Sequence, residues 1–226
     1  MSAEASPRWL RLGVLCEGQT EEFFVRDQLA PHLHNFNIDA HATRVATKRI
    51  LGQRLFRGGG DSYTHIRQDV LGLLRSYEHV TTLLDYYGLP GNFPGRAERL
   101  AGTPHARLQA LETAFAADIS SPKFIPHLVL HEFEALLFSD VAAIASELGE
   151  PKQLPALQQL AHQFPDPELI NDSPETAPSK RLLKLFPGYR KATDGVIIAK
   201  AIGLAGIRAK CQHFHSWLTR LESLGK

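Results

Sequence analysis

Three carboxylates stand where apolar runs of this chain give out. Glu17 follows the run 12–16, Asp85 ends "HVTTLLD", and Glu132 follows "KFIPHLVLH". Carboxylates gathered at one place repel each other, and at neutral pH a divalent cation relieves that repulsion more readily than proton uptake. Hard oxygen donors of this kind suit Mg²⁺ (or Mn²⁺), which keeps some of its waters and completes its shell with phosphate oxygens. The chemistry expected is phosphoryl transfer or phosphodiester hydrolysis, with the metal polarising phosphorus and activating water. Zinc is the weaker expectation. Cys211, His213 and His215 in "CQHFHSW" alternate within a predicted helix and do not share one face, so they read as packing and surface residues.

For these acids to meet, the elements carrying them must be neighbours. The first two thirds of the chain alternate strand-like and helix-like segments: strand 12–16, helix 20–33, strand 38–45, helix 63–76, and a third strand ending near Asp85. A loop rich in Gly and Pro over 86–104, a helix over 105–117 and a fourth strand over 125–130 follow. Such alternation predicts an α/β fold, a parallel sheet of about four strands flanked by helices. Ligands of an open parallel sheet lie beyond the carboxyl ends of its strands. In a flavodoxin-like order the first and third strands are adjacent, which carries Glu17 and Asp85 into one crevice. Gly18 is read as the residue that lets the chain turn closely after the first strand.

The segment "HEFEALLF" is read as a short amphipathic helix. At ~100° per residue Phe133, Leu136 and Leu137 share a face, His131 and Glu134 fall opposite, and Glu132 stays available at the helix start. Glu134 is therefore expected on the exposed polar face, as a secondary candidate with His131. Beyond Gly149 proline-punctuated helical fragments lead to helices near 196–202 and 207–224. The expected organisation is an α/β domain over 8–149 and a C-terminal helical extension over 150–226 packed on the same domain.

The chain has 226 residues, 43% of them hydrophobic, and a formal net charge of +1, enough for one substantial core and no global attraction to a polyanion. Locally the balance differs, because Arg44, Lys48, Arg49, Arg54 and Arg57 occur over 40–60 without an acid and run into three glycines. That composition suits a phosphate-contacting, nucleic-acid-binding segment. Tyr86 and Tyr87 could stack on a base. Two cysteines, Cys16 and Cys211, make no disulfide framework; "MSAEASPRWL" lacks the apolar core expected of a signal peptide, and no stretch approaches the ~18 apolar residues of a membrane span. The expected location is the cytoplasm, away from membranes.

"GVLCEGQTE" resembles the first motif of the TOPRIM domain of topoisomerases, primases and overcoming-lysogenisation-type nucleases. Together with "LLDYYGLP", "LHEFEALLFSD", "APSKR" and "IGLAGIRAKCQHFHSWL", it is similar to a bacterial TOPRIM-like family of unknown function, domain of unknown function 4276, associated with ATPase partners in defence contexts. The resemblance implies that Glu17 is the TOPRIM glutamate, Glu21 a supporting acid one helical turn on, and Asp85 the first aspartate of an Asp-x-Asp motif. Tyr87 stands where the second aspartate belongs, and a phenol is a poor Mg²⁺ ligand at neutral pH, which argues against a two-metal site. Glu132 matches a further glutamate of the overcoming-lysogenisation-type enzymes and could replace the lost ligand. Lys180 matches a basic residue that steadies phosphate or the leaving oxygen.

The reading is then a divalent-metal-dependent nuclease acting on DNA or RNA, the effector of an antiphage module with an ATPase partner, with room for a homo-oligomer. Glu17, Asp85 and Glu132 would hold metal, with Glu21 and Lys180 assisting. A non-catalytic TOPRIM-like subunit that binds an ATPase or nucleic acid is the first alternative. A small-molecule phosphatase or nucleotidyl-transfer enzyme is the second.

Overall fold

The computed structural model describes residues 9–45, 62–97, 101–171 and 174–225. Strand β1 (Leu10–Cys16) is buried along its second half, as a central parallel strand must be when helices cover both faces. Residues 19–34 then form one helix, α1, running from Gln19–Phe24 through a π-helical turn, Val25–Leu29, into Ala30–His34. The widened turn accommodates Pro31, which has no N–H to give to the preceding turn; the Ala30 N–H instead reaches back to the Val25 carbonyl.

Strand β2 (Ile38–Arg44), helix α2 (Ser62–Leu74) and strand β3 (His79–Asp85) follow. After a 3₁₀ turn at Tyr86–Gly88 come helix α3 (Pro104–Ile119) and two short strands, β4 (Phe124–Ile125) and β5 (Leu128–Val129). All pairings are parallel in the order β2-β1-β3-β4, with β5 also on β3, so β1 and β3 are neighbours. The expected fourth strand is thus two pieces. They keep one register along β3, Thr81 opposite Ile125 and Leu84 opposite Leu128. Pro126 supplies no N–H to the ladder, and side chains of β3 fill the gap. The Thr81 hydroxyl donates to the Ile125 carbonyl at 2.6 Å; the Thr82 hydroxyl donates to the His127 carbonyl at 2.8 Å and accepts the His127 N–H at 2.9 Å.

The described residues beyond β5 carry helical elements: a 3₁₀ segment Phe133–Ser139, α4 (Val141–Glu147), α5 (Leu154–Gln163), α6 (Pro178–Leu185), a π-helical turn Lys191–Gly195, α7 (Val196–Lys210) and α8 (Gln212–Glu222). Gly203, at φ 72° and ψ 160°, breaks α7 internally. One apolar cluster joins Leu12 and Val14 of β1 and Phe24 of α1 to Phe133, Ile198, Phe214 and Leu218. Phe24 meets Phe133 and Phe214 edge-on at 5.2 and 6.1 Å, and truncating so central a phenylalanine costs about 3–5 kcal/mol. A second cluster lies on the other face of the sheet, where Leu15 and Val80 pack with Val70 of α2 and Phe115 of α3. No helix among the described residues is long and apolar enough to cross a membrane.

Candidate functional site

Glu17 leaves β1 one residue after its last pairing with β3, and its backbone N–H still reaches the Leu83 carbonyl at 3.1 Å. Continuing the parallel ladder would give the Asp85 N–H to the Glu17 carbonyl. The chain turns away there, and the Glu17 carboxylate takes its place: Oε2 accepts the Asp85 N–H at 2.8 Å. Gly88, in the 3₁₀ turn after β3, packs its Cα against the same carboxylate so closely that a Cβ would overlap both oxygens.

Gly18 corrects the expectation placed on it. Its φ of −145° and ψ of −161° are extended backbone that any residue adopts, so no special turn is needed. What matters is space, since a Cβ would sit 3.3 Å from Glu21 Oε2, which accepts the Gly18 N–H at 2.9 Å. Glu21 thus caps the start of α1, where an anion also suits the helix dipole.

Asp85 Oδ1 accepts the Phe133 N–H at 2.9 Å, and Glu132 Oε2 accepts the Ser179 N–H of α6 at 3.0 Å. Glu134 departs from the exposed position expected of it. The segment is 3₁₀ rather than α-helical and packs against α4, α6 and α7, so Glu134 is only 2% exposed. Its Oε1 accepts from the Tyr189 hydroxyl at 3.4 Å. Lys191 answers the acids: Nζ lies 3.3 Å from Glu134 Oε2 and 3.5 Å from Glu132 Oε1.

The electrostatics follow from crowding. Glu17 remains exposed at the crevice mouth although protein surrounds its carboxylate, and that desolvation pushes its pKa up to about 7. Glu21 and Glu132 push the same way, against the Asp85 N–H and Lys191. Burial and then Glu17, Glu21 and Glu134 hold Asp85 well above the usual carboxylate range. Glu21 and Glu134 are raised too, chiefly by burial. Burial works against the Lys191 ammonium, but Glu134, Glu132 and Asp85 outweigh it and raise its pKa.

The donor types suit a hard divalent ion, although the ligand atoms of Glu17, Asp85 and Glu132 do not all lie within 4.8 Å of one another, so these side chains must close on an ion to bind it. Glu17, Asp85 and Glu132 each have one oxygen fixed by a backbone N–H, which orients the other, and the carboxylates outnumber the ammonium that meets them.

Tyr87 gives its N–H to the His131 carbonyl at 3.2 Å, its ring lies 5.3 Å from that of His131, and its hydroxyl accepts from Asn171 Nδ2. His131 is buried and holds a left-handed φ of 74° just before Glu132. Lys180 is exposed on α6, and its N–H bonds the Ala177 carbonyl. Arg44, at the end of β2, pairs with Glu22 at 3.0 Å. Lys48, Arg49, Arg54 and Arg57 lie outside the described residues. Sequence reasoning missed Gly88 and Lys191. The glycine directly after "DYY" was a signal for the first; no local signal marked the second.

The model of the family described as Domain of unknown function (DUF4276) matches residues 16–222. The chain belongs to that family. The match runs from just before Glu17 to the end of α8, so it takes in every residue of the acidic crevice. Among solved structures, the chain is similar to the C-terminal region of the Burkholderia pseudomallei OLD protein, at 14% identity, with 96% of this chain and 100% of that one covered and a TM-score of 0.48. It is also similar to the C-terminal region of the Xanthomonas campestris pv. campestris OLD protein, at 17% identity, 95% coverage of each chain and a TM-score of 0.44. No curated protein matches.

Proposed function

We propose that this chain is a divalent-metal-dependent nuclease whose active site is the crevice between Glu17 and Asp85. The observation that carries the reading is the Glu17 carboxylate locked onto the Asp85 backbone at 2.8 Å, with the Asp85, Glu132 and Glu134 carboxylates behind it. Glu17, Asp85 and Glu132 would hold Mg²⁺ or Mn²⁺, which when bound supplies charge neutralisation at phosphorus and a lowered pKa for water. Glu21 fixes the start of α1 and so the position of Glu17. Lys191, half-exposed beside Glu132 and Glu134, offsets their charge and would offer a cation to a phosphate oxygen, a part the family resemblance assigns to Lys180. The substrate would be DNA or RNA, with the basic segment 44–57 contacting its backbone and an ATPase as the partner of a defence module.

A second reading rests on Lys191. An ammonium set on two carboxylates can take the place of a metal, and Tyr87 stands where a second aspartate is expected, so the crevice would serve a non-catalytic subunit that binds an ATPase or nucleic acid. The test is to incubate the purified chain, with and without a candidate ATPase, with DNA, RNA and Mg²⁺ or Mn²⁺, beside Glu17→Gln. Metal-dependent cleavage lost in the variant supports the nuclease. Cleavage indifferent to Glu17→Gln removes this site, and binding without cleavage under every condition favours the second reading.

A further inference from the structure

The outer edge of the sheet carries a different cluster. His127, in the gap between β4 and β5, Glu112 of α3 and His213 of α8 bring one ligand atom each within 4.8 Å of the others. His213 Nε2 is 2.9 Å from Glu112 Oε1, and His127 Nδ1 is 3.7 Å from the same oxygen. Ligand atoms about 2.0–2.1 Å from a tetrahedral ion stand about 3.3 Å apart, a spacing these two distances straddle. The three line a cavity of about 380 Å³ that Trp217, His105 and Arg220 share.

Hydrogen bonds pin the backbone around the three groups and one Glu112 oxygen. Glu112 Oε1 accepts the Leu128 N–H at 2.8 Å, and the Thr82 hydroxyl bonds both backbone groups of His127. The His213 N–H goes to buried Glu168 at 2.7 Å. The His127 ring is stacked between His213, at 4.8 Å, and Trp217, at 4.3 Å and 8° from parallel; Trp217 is itself tied to the Thr81 hydroxyl at 2.8 Å. Imidazole lone pairs lie in the ring plane, so the His213 ring must turn out of this stack for both imidazoles to meet one ion.

We propose that Glu112, His127 and His213 form a divalent transition-metal site, with zinc as the fitting ion, that clips α8 and α3 to the edge of the sheet and opens its remaining coordination position into the cavity. Two imidazoles and a carboxylate select zinc over the magnesium expected of the all-carboxylate crevice. The sequence reading took His213, with Cys211 and His215, for a packing or surface residue; Cys211 is buried, and His215 accepts from Arg208 at 3.2 Å. The partners of His213 come from α3 and the β4–β5 gap, far off in sequence. Imidazole binds zinc only in its neutral form, so affinity falls as the pH is lowered.

The test uses the full chain freed of metal with chelator. ZnCl₂ is titrated calorimetrically, and CoCl₂ is followed by its visible absorption, which becomes intense in a tetrahedral site. Expected are a zinc step with proton release, distinct from any binding at the crevice, and loss of at least about ten-fold in its affinity for both Glu112→Gln and His213→Gln. Glutamine keeps an acceptor for the Leu128 N–H, and circular dichroism checks that each variant is folded. Glu17→Gln should leave zinc affinity unchanged, separating this site from the crevice. No zinc binding by the unaltered chain, or equal affinity in both folded variants, overturns the proposal.

Discussion

The Glu17 side chain occupies the position in the β1–β3 ladder that its own backbone carbonyl would fill, accepting the Asp85 N–H at 2.8 Å. The acid is thereby indexed to the sheet. The same device recurs along the crevice, where the Phe133 N–H fixes Asp85 and the Ser179 N–H fixes Glu132. Backbone amides of three elements set one oxygen of each of three carboxylates.

Glu17→Gln keeps the shape and an acceptor for Asp85 but removes a charge. Metal-dependent cleavage should fall at least about 100-fold, the upper end of what losing even a supporting residue costs. Fewer like charges then crowd the crevice, so the metal-free variant should melt no lower than the parent. Cleavage assays and thermal unfolding on one preparation check both.

Gly88→Ala tests space without touching charge. The added Cβ would overlap the Glu17 carboxylate, which must swing away and release the Asp85 N–H. Mg²⁺ affinity should drop about ten-fold, with circular dichroism unchanged. Wild-type affinity in this variant would show that the observed pose of Glu17 is not the one that binds.

Lys191→Met removes the cation that faces Glu132 and Glu134. Because the Lys191 side chain is 47% exposed, the loss is that of a part-screened pair, about 1 kcal/mol, read as a lower urea midpoint without metal. Added Mg²⁺ should recover more stability in this variant than in the parent, since the ion supplies the missing charge.

Stability without metal should fall as the pH rises. A carboxyl with a raised folded-state pKa binds its proton more tightly when folded. Its contribution is complete below the unfolded value of about 4.3 and is lost as the pH climbs through about 7 for Glu17. Asp85, Glu21 and Glu134 are shifted the same way and add to the trend. Unfolding midpoints from pH 5 to 8, with and without Mg²⁺, should diverge towards the alkaline end; a flat metal-free profile would count against the crowded crevice.

The sheet was readable because hydrophobic runs and Gly breaks mark parallel strands locally, and the neighbouring of β1 and β3 follows from a common strand order. That sufficed to bring Glu17 beside Asp85. Glu134 was misjudged because a helical wheel assumes one dry face. The segment Phe133–Ser139 is a buried 3₁₀ turn with protein on every side, where even its acid needs a partner. That partner, Lys191, sits in a π-helical turn far along the chain, and no spacing rule reaches it. The same limit hid the joining of Glu112 to His127 and His213, which the packing of α8 against the sheet edge decides.

The bond from the Leu128 N–H to Glu112 also bears on self-association. A sheet normally ends in unpaired donors that can recruit a strand from another molecule. Here the outward donor of β5 is already taken by a side chain, and at the opposite end β2 shows the Asp39–His41 pair and Arg44 to solvent. Replacing Glu112 by a residue without an acceptor would free that donor and expose an edge prone to aggregation.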